Sequence, residues 1–147
     1  MYKLILIPTD GSETAEIAVQ AGLKFAREAN ARVTLFTAVP EYHPPGESEV
    51  MSRQVISLAE HERRSQAKAA EILGKASERA RGEGVEFDAD YVQSDTPSQA
   101  IIDAAKSHGC DAIFMASHGR KGIAKLWHGS ETQEVLTHSD IPTLVYR

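Results

Sequence analysis

Short apolar runs alternate with helix-like segments along the whole chain, and this alternation limits the possible folds more than any other feature. Five runs have the composition of strands: Lys3 to Pro8, Arg32 to Val39, Val85 to Val92, Ala112 to Ser117 and Thr143 to Tyr146. Chains that alternate in this way build βαβ units, whose strands form a parallel sheet with helices on its faces. We therefore predict an α/β fold with a single doubly wound sheet of five parallel strands.

The same runs predict which strands are central. The first and fourth runs are almost continuously apolar, as expected of strands covered on both faces, and the second is similar but more polar. The run from Val85 to Val92 alternates apolar and acidic residues, so one of its faces is expected to contact water and we place it at an edge. The last run follows Pro142, which can begin a strand, and is predicted as the other edge.

Helix signals occupy the intervening segments. A first helix is predicted after Asp10-Gly-Ser12, ending near Asn30. Thr96 and Ser130 are each followed three residues later by glutamine, so each is predicted to cap a helix. Glu41 to Glu49 has the composition of a loop. One long amphipathic segment is predicted from Met51 to Arg81, with these residues facing inward: Val55, Leu58, Ala69, Ile72, Leu73, Ala76 and Ala80.

Length and composition exclude several classes of protein. The 147 residues fit one domain, 1–147, and no apolar run approaches the roughly 20 residues that cross a bilayer. The amino terminus lacks the pattern of a signal peptide, and Cys110 is the single cysteine, so we expect a cytoplasmic protein without an internal disulfide. A net charge of -5 disfavours nucleic acid as a partner. We expect neither membrane nor nucleic-acid binding.

The segment from Ala112 to Ser130 combines an apolar strand, a glycine-bearing basic loop and a helix start. Gly119 and Gly122 allow backbone amides to approach a ligand, and the first amides of the helix that opens at Gly129-Ser130 have no internal partners. Such amides, with the helix dipole behind them, favour a bound phosphate. Three basic residues strengthen this prediction: Arg120, Lys121 and Lys125. The alternative is a structural connection whose glycines only form turns.

Asp10 follows the first predicted strand. In a doubly wound sheet, ligands bind beyond the carboxyl ends of the strands where the strand order reverses, so Asp10 would face the 117–129 loop if the first and fourth strands are neighbours. A carboxylate near phosphates is favourable only with a bridging cation, which predicts Mg²⁺ or Mn²⁺. Alternatively, Asp10 caps the first helix or sets the turn at Gly11.

Other chemistries fit the sequence less well. Asp10, Ser117 and His118 suggest a hydrolytic triad, but the nucleophile elbow Gly-x-Ser-x-Gly is missing from the sequence. His118, His128 and Cys110 lack the spacing of metal or redox motifs, and Trp127 is interpreted as a packing residue. Neither the Walker pattern nor Gly-x-Gly-x-x-Gly occurs in the sequence.

The two ends of the chain carry recognisable motifs. It opens with Ile7-Pro-Thr-Asp-Gly-Ser-Glu-Thr-Ala15 and closes with Gly129-Ser-Glu-Thr-Gln-Glu-Val-Leu136, followed by Ser139-Asp-Ile-Pro-Thr-Leu-Val145. In these features the whole chain resembles the universal stress proteins. The spacing of Ala116-Ser-His-Gly119, nine residues and Gly129-Ser130 is similar to the glycine motif of the family's ATP-binding branch, with alanine replacing the first glycine.

The resemblance implies a Rossmann-like sheet of the adenine nucleotide alpha hydrolase-like type, with strand order 3-2-1-4-5. It also implies a site for ATP with Mg²⁺ or Mn²⁺. Pro8, Thr9, Asp10 and Val39 would flank base and ribose, with the Val39 backbone reading adenine. Ribose and phosphates would be lined by Met115, Ala116, His118 and Gly119. The phosphate chain would lie against Gly129, Ser130, Glu131 and Thr132, and we add Arg120 from its charge and proximity.

Two residues depart from the family pattern. Alanine at position 116 costs roughly 1 kcal/mol or more if its backbone needs a positive φ, whereas in an extended conformation only its methyl group matters. The family usually has an apolar residue where Glu131 stands, and a carboxylate at a helix start would compete with phosphate unless its side chain turns to solvent.

Three functions follow from the resemblance and the motifs. The first is a homodimeric stress-response module that binds ATP, turns it over slowly at most and acts on a further protein partner. The second is a nucleotide-free dimer that acts through protein contacts. The third, with the least support, is an enzyme that cleaves ATP or another adenylate. Dimerisation is predicted through the last strand, at Thr143 to Val145.

Overall fold

A computed structural model describes residues 1–52, 55–117 and 129–147. Within these ranges the strands pair in parallel in the order β3-β2-β1-β4-β5, which confirms the predicted α/β fold, strand order and edges. The elements, in chain order, are β1 Leu4–Pro8, α1 Glu13–Ala29, β2 Arg32–Val39, α2 Glu47–Ser52, α3 Leu58–Glu83, β3 Phe87–Gln93, α4 Pro97–Ser107, β4 Ala112–Ala116, α5 Gly129–His138 and β5 Thr143–Tyr146.

Helices cover both faces of the sheet, so the central strands are buried on two sides. Ile5 and Ile7 of β1 pack with α1 and α3, while Leu6 between them packs with α4 and α5. Because side chains on both faces of β1 are buried, its sequence is a continuous apolar run. The start of β1 is tied to the start of β4 by the Asp111 carboxylate, which accepts hydrogen bonds from the Lys3 amide at 2.9 Å and the Leu4 amide at 3.2 Å.

Serine caps define where α1 and α3 begin. Ser12 Oγ accepts a hydrogen bond from the Ala15 amide at 3.2 Å, and Ser57 Oγ accepts one from the Glu60 amide at 3.1 Å. Asn30 ends α1 near its predicted position, in the left-handed conformation with φ 55°. The helix starts are therefore encoded by local hydroxyl groups, one of which, Ser57, the sequence analysis missed.

The long amphipathic segment differs from its prediction. Its first part belongs to α2, which ends at Ser52, and α3 begins only at Leu58. Val55 and Leu58 were expected to face inward but are 42% and 52% exposed, because the helix that carries the inward stripe starts at the Ser57 cap. The remaining members of the stripe are buried as predicted: Ala69, Ile72, Leu73, Ala76 and Ala80.

Two shorter predictions also need revision. The loop expected from Glu41 to Glu49 ends earlier, because α2 begins at Glu47. Helix α5 begins at Gly129, so Ser130 lies in its first turn rather than at the capping position. Among the described residues, no helix is both long and apolar enough to cross a membrane.

Candidate functional site

The strand order reverses at the carboxyl end of β1. Its neighbours are β2 on one side and β4 on the other, with Ile5 beside Ala112 and Leu6 beside Ile113 in the β1–β4 pair. Because the strands are parallel, the turn that follows β1 and the chain that leaves β4 meet at the same edge of the sheet. In open α/β sheets this reversal is where ligands bind.

The turn after β1 is buried and held by several hydrogen bonds. Asp10 is 5% exposed, and its Oδ1 accepts a hydrogen bond from the Ser12 amide at 2.9 Å. Thr9 is fully buried, with its Oγ1 accepting from the Gly11 amide at 3.1 Å and its own amide donating to the Phe36 carbonyl at 2.8 Å. Asp10 therefore sets the turn, which was one of the structural alternatives to its predicted ligand role, while Ser12 is the cap of α1.

The end of β4 is joined directly to α5. Thr132 Oγ1 donates a hydrogen bond to the Ala116 carbonyl at 2.7 Å. Ala116 is the last residue of the extended strand, and Asn30 is the one non-glycine residue with positive φ in the described ranges. Alanine at 116 therefore causes no backbone strain, and only its methyl group bears on a ligand. The Met115 side chain lies in the core, so this residue can reach the site only through its backbone.

The Glu131 side chain does not turn to solvent. Its Oε2 accepts a hydrogen bond from the Ser98 amide, at 2.9 Å, in the first turn of α4. Thr96 precedes α4 at the N-cap position and Pro97 begins the helix, as predicted, but the predicted side-chain bonds are wrong. In the described part of the chain the Thr96 hydroxyl makes no capping bond, and Gln99 Nε2 donates to Asp103 at 2.8 Å instead of reaching back. The ψ angle of Thr96 is 77°, whereas the two serine caps have ψ of 160° and 163°.

The backbone of Val39 points away from the site edge. Its carbonyl accepts a hydrogen bond from the Ser94 amide at 2.8 Å, on the side of β3. Backbone groups alternate sides along a strand, and the Phe36 carbonyl faces β1, so Ala38 also faces β1. Ala38 lies two residues beyond the last β1–β2 pair, Pro8 with Phe36. The sequence analysis did not name Ala38, although the alternation of backbone groups along β2 could have identified it as a residue whose backbone faces β1.

Part of the predicted site falls outside the described residues. These positions are His118, Gly119, Arg120, Lys121, Gly122 and Lys125, and the packing prediction for Trp127 and the interpretation of His128 lie there as well. Pro8, at the end of β1, is buried beside the turn, and Ser130, in the first turn of α5, is exposed.

A bound cation would rely mainly on its ligand. Within residues 1–52, 55–117 and 129–147, no group of three or more His, Cys, Asp or Glu side chains is arranged to hold a metal. Mg²⁺ is commonly held by one or two carboxylates together with substrate phosphates, and the buried Asp10 carboxylate suits that role. Cys110 is buried as a packing residue, and burial raises the pKa of its thiol, which disfavours the reactive thiolate.

A segment formed by residues 40–46 lies at the carboxyl ends of β2 and β3. Asp95 holds it through two bonds: Oδ1 accepts from the Glu41 amide at 3.0 Å, and Oδ2 pairs with His43 Nε2 at 2.6 Å. His61 Nε2 lies 3.1 Å from the Pro40 carbonyl. These contacts fix the segment close to Ala38, at the rim of the candidate site.

Replacing Asp95 with alanine is expected to release this segment without unfolding the protein. Both contacts of Asp95 are partly exposed, so the free energy of unfolding should fall by only about 0.5 kcal/mol. Amide exchange at Glu41, followed by NMR, should become several-fold faster because its acceptor is lost. Asp88→Ala on β3, which removes a contact with Arg32, is the control. Unchanged exchange at Glu41 would contradict this role of Asp95.

The sequence matches the model of the Universal stress protein family over residues 1–147. The chain belongs to this family. It is 32% identical to universal stress protein MJ0577 of Methanocaldococcus jannaschii, over 100% of this chain and 96% of the relative. A solved structure of MJ0577 superimposes with a TM-score of 0.75, covering 99% of this chain and 95% of that one.

Two further universal stress proteins share the fold and were solved with adenine nucleotides. One, in complex with cAMP, has a TM-score of 0.67 and 22% identity, covering 99% of this chain and 97% of the other. The other, from Archaeoglobus fulgidus, is in complex with dAMP and has a TM-score of 0.66 and 18% identity, covering 100% of this chain and 98% of that protein. At these identities the likeness establishes the fold alone.

Proposed function

We propose that this universal stress protein binds an adenine nucleotide, ATP with Mg²⁺, at the carboxyl edge between β1 and β4. The observation that carries the proposal is the meeting, at the reversal of strand order, of the buried Asp10 turn and the first turn of α5. The nucleotides bound by the two related structures, cAMP and dAMP, support an adenine ligand.

The phosphates would lie against the amino end of α5. The first amides of a helix have no partners within it, and they are backed by the positive end of the helix dipole. In α5 these amides belong to Gly129, Ser130 and Glu131. The Thr132 hydroxyl donates its proton to Ala116, so toward a ligand it can only accept a hydrogen bond.

The base would lie toward β2. Since the Val39 carbonyl is engaged by Ser94, we assign the adenine-reading backbone to Ala38, which faces β1 beyond the last strand pair. Pro8 and Thr9 end the neighbouring strand and would flank the ribose. The 40–46 segment, held by Asp95, would close the site on the outer side.

Asp10 would face the phosphates through a divalent cation. A carboxylate repels phosphate directly, whereas Mg²⁺ or Mn²⁺ bound to phosphate oxygens attracts it. The role proposed for the protein is that of a cytoplasmic, homodimeric binding module in the stress response, which passes the nucleotide state to a protein partner. Hydrolysis of ATP or another adenylate is not part of the proposal.

The direct test is calorimetric titration with ATP, in the presence and absence of Mg²⁺. Asp10→Asn keeps the oxygen that accepts from the Ser12 amide and removes the charge, so it should fold normally but bind Mg-ATP about tenfold more weakly. Asp103→Asn, on the exposed side of α4, should bind as the wild type does.

Ligand-induced stabilisation gives an independent readout. Nucleotide at 100 times its dissociation constant should add about 2.7 kcal/mol to the free energy of unfolding. An unchanged melting temperature at millimolar ATP, AMP and cAMP would refute the proposal and favour a nucleotide-free dimer. Phosphate release that depends on Asp10 would instead favour the hydrolase.

A further inference from the structure

Helix α4 obtains its amino-terminal cap from another helix. The hydroxyl of Thr96, the residue just before the helix, makes no capping bond in the described part of the chain. The Ser98 amide instead donates to Glu131 Oε2 at 2.9 Å, across 33 positions of sequence. A carboxylate at this place neutralises the positive end of the α4 dipole and satisfies one of its free amides.

The same contact fixes the first turn of α5. Glu131 ties this turn to α4, and its neighbour Thr132 ties it to the Ala116 carbonyl at the end of β4, at 2.7 Å. Glu131 and Thr132 thus hold the turn through one hydrogen bond each, to α4 and to the end of β4. The amides proposed to receive phosphate belong to this turn.

We propose that Glu131 is a positioning residue, whose carboxylate anchors the first turn of α5 to the start of α4 so that its amides are ordered before nucleotide binds. For nucleotide affinity this inference rests on the proposed function. The bond to Ser98 also directs the negative charge of Glu131 toward α4. The Glu131 carboxylate would repel phosphate, but its bond to Ser98 keeps it on the α4 side, where it holds the first turn of α5 in place.

Two neutral variants separate the anchor from the charge. Glu131→Gln keeps an oxygen that can accept from the Ser98 amide, and Glu131→Met has a similar length without that acceptor; both residues favour helices. The comparison between them therefore removes one hydrogen bond at constant charge. Glu134→Gln and Glu134→Met are the matched controls, because Glu134 lies on the exposed side of α5 and pairs with His138.

The first readout is hydrogen exchange in the ligand-free protein. Losing a helix cap should speed exchange of the Ser98 amide about fivefold in Glu131→Met relative to Glu131→Gln. The Gln133 amide, whose acceptor four residues earlier is Gly129, should also lose protection because it reports the first turn of α5. Equal exchange at both amides in the two variants would overturn the inference whether or not nucleotide binds.

The second readout is nucleotide affinity, measured by titration with Mg-ATP. Glu131→Met should bind about fivefold more weakly than Glu131→Gln, because binding must then order the turn. Glu131→Gln should bind at least as tightly as the wild type, since it keeps the anchor and loses the like charge. If the wild type binds but the two variants have equal affinities, the anchor has no positioning role. If the wild type does not bind, the proposed function fails, and the exchange rates alone decide the inference.

Discussion

Replacing Gly11 with valine is expected to lower the free energy of unfolding by about 3 kcal/mol, or roughly 10 °C in melting temperature. Gly11 has a φ of +80°, which a β-branched residue rarely adopts. A Cβ at this position would also lie 3.0 Å from Cγ1 of the buried Ile72 on α3. Backbone strain and overpacking therefore act together, and the turn they distort holds Asp10.

Gly74→Ala is the matched control for the Gly11 variant. A Cβ at Gly74 meets no atom within 4 Å, and the residue lies inside α3, so alanine should raise the free energy of unfolding by up to about 1 kcal/mol. Thermal unfolding followed by circular dichroism measures both variants. A Gly11→Val protein that melts at the same temperature as the wild type would show that the turn accommodates the side chain, which contradicts the expected strain and overpacking.

Proline at position 145 is expected to convert the proposed dimer to a monomer without unfolding the domain. β5 is an edge strand. The carbonyls of Pro142, just before it, and of Tyr146, at its end, accept from the amides of Ile113 in β4 and of Ser117 just after β4. Since backbone groups alternate, the Val145 amide points to the open edge. Val145 and Tyr146 are 37% and 40% exposed, which leaves apolar surface for a second copy. Proline removes the outward donor and is tolerated at sheet edges.

Sedimentation velocity at micromolar concentration measures this change. The wild type and Val145→Thr, which keeps the amide and the branched shape, should sediment as dimers, while Val145→Pro should sediment as a monomer with nearly unchanged far-ultraviolet circular dichroism. Leu144→Pro provides the contrast, because that amide faces β4 and its loss should destabilise the fold. A monomeric wild type, or a Val145→Pro dimer, would exclude assembly through this edge.

The sheet was predictable because its signals are local. Continuous apolar runs mark β1 and β4 as central strands, and the alternation in β3 marks an edge strand. These patterns differ because a strand buried on both faces is apolar throughout, whereas one buried on a single face alternates. The meeting of the β1 turn with the end of β4 followed from the strand order. The turn role of Asp10 also followed, because an aspartate before glycine commonly sets a turn.

The features that the sequence did not predict depend on contacts between helices and strands. The partner of Glu131 is 33 positions away, and only the packing of α4 against α5 reveals that its carboxylate replaces a cap at Thr96. The direction of the Val39 carbonyl, toward Ser94, was not predictable, because a shift of one position along a strand reverses the direction of every backbone group. Val55 and Leu58 failed because helical spacing continues across a break that the Ser57 cap defines.

The central position of β1 has a consequence for synthesis on the ribosome. Asp111, which holds the start of this strand, lies 108 positions after Lys3, and β4 follows Asp111 directly. As the chain emerges, β1, β2 and β3 with α1 and α3 can assemble first, while one side of β1 stays uncovered until β4 has been translated. The segment from β4 to β5 therefore completes the sheet, together with the edges at which we propose that nucleotide and a second copy bind, only after the first three strands have been made.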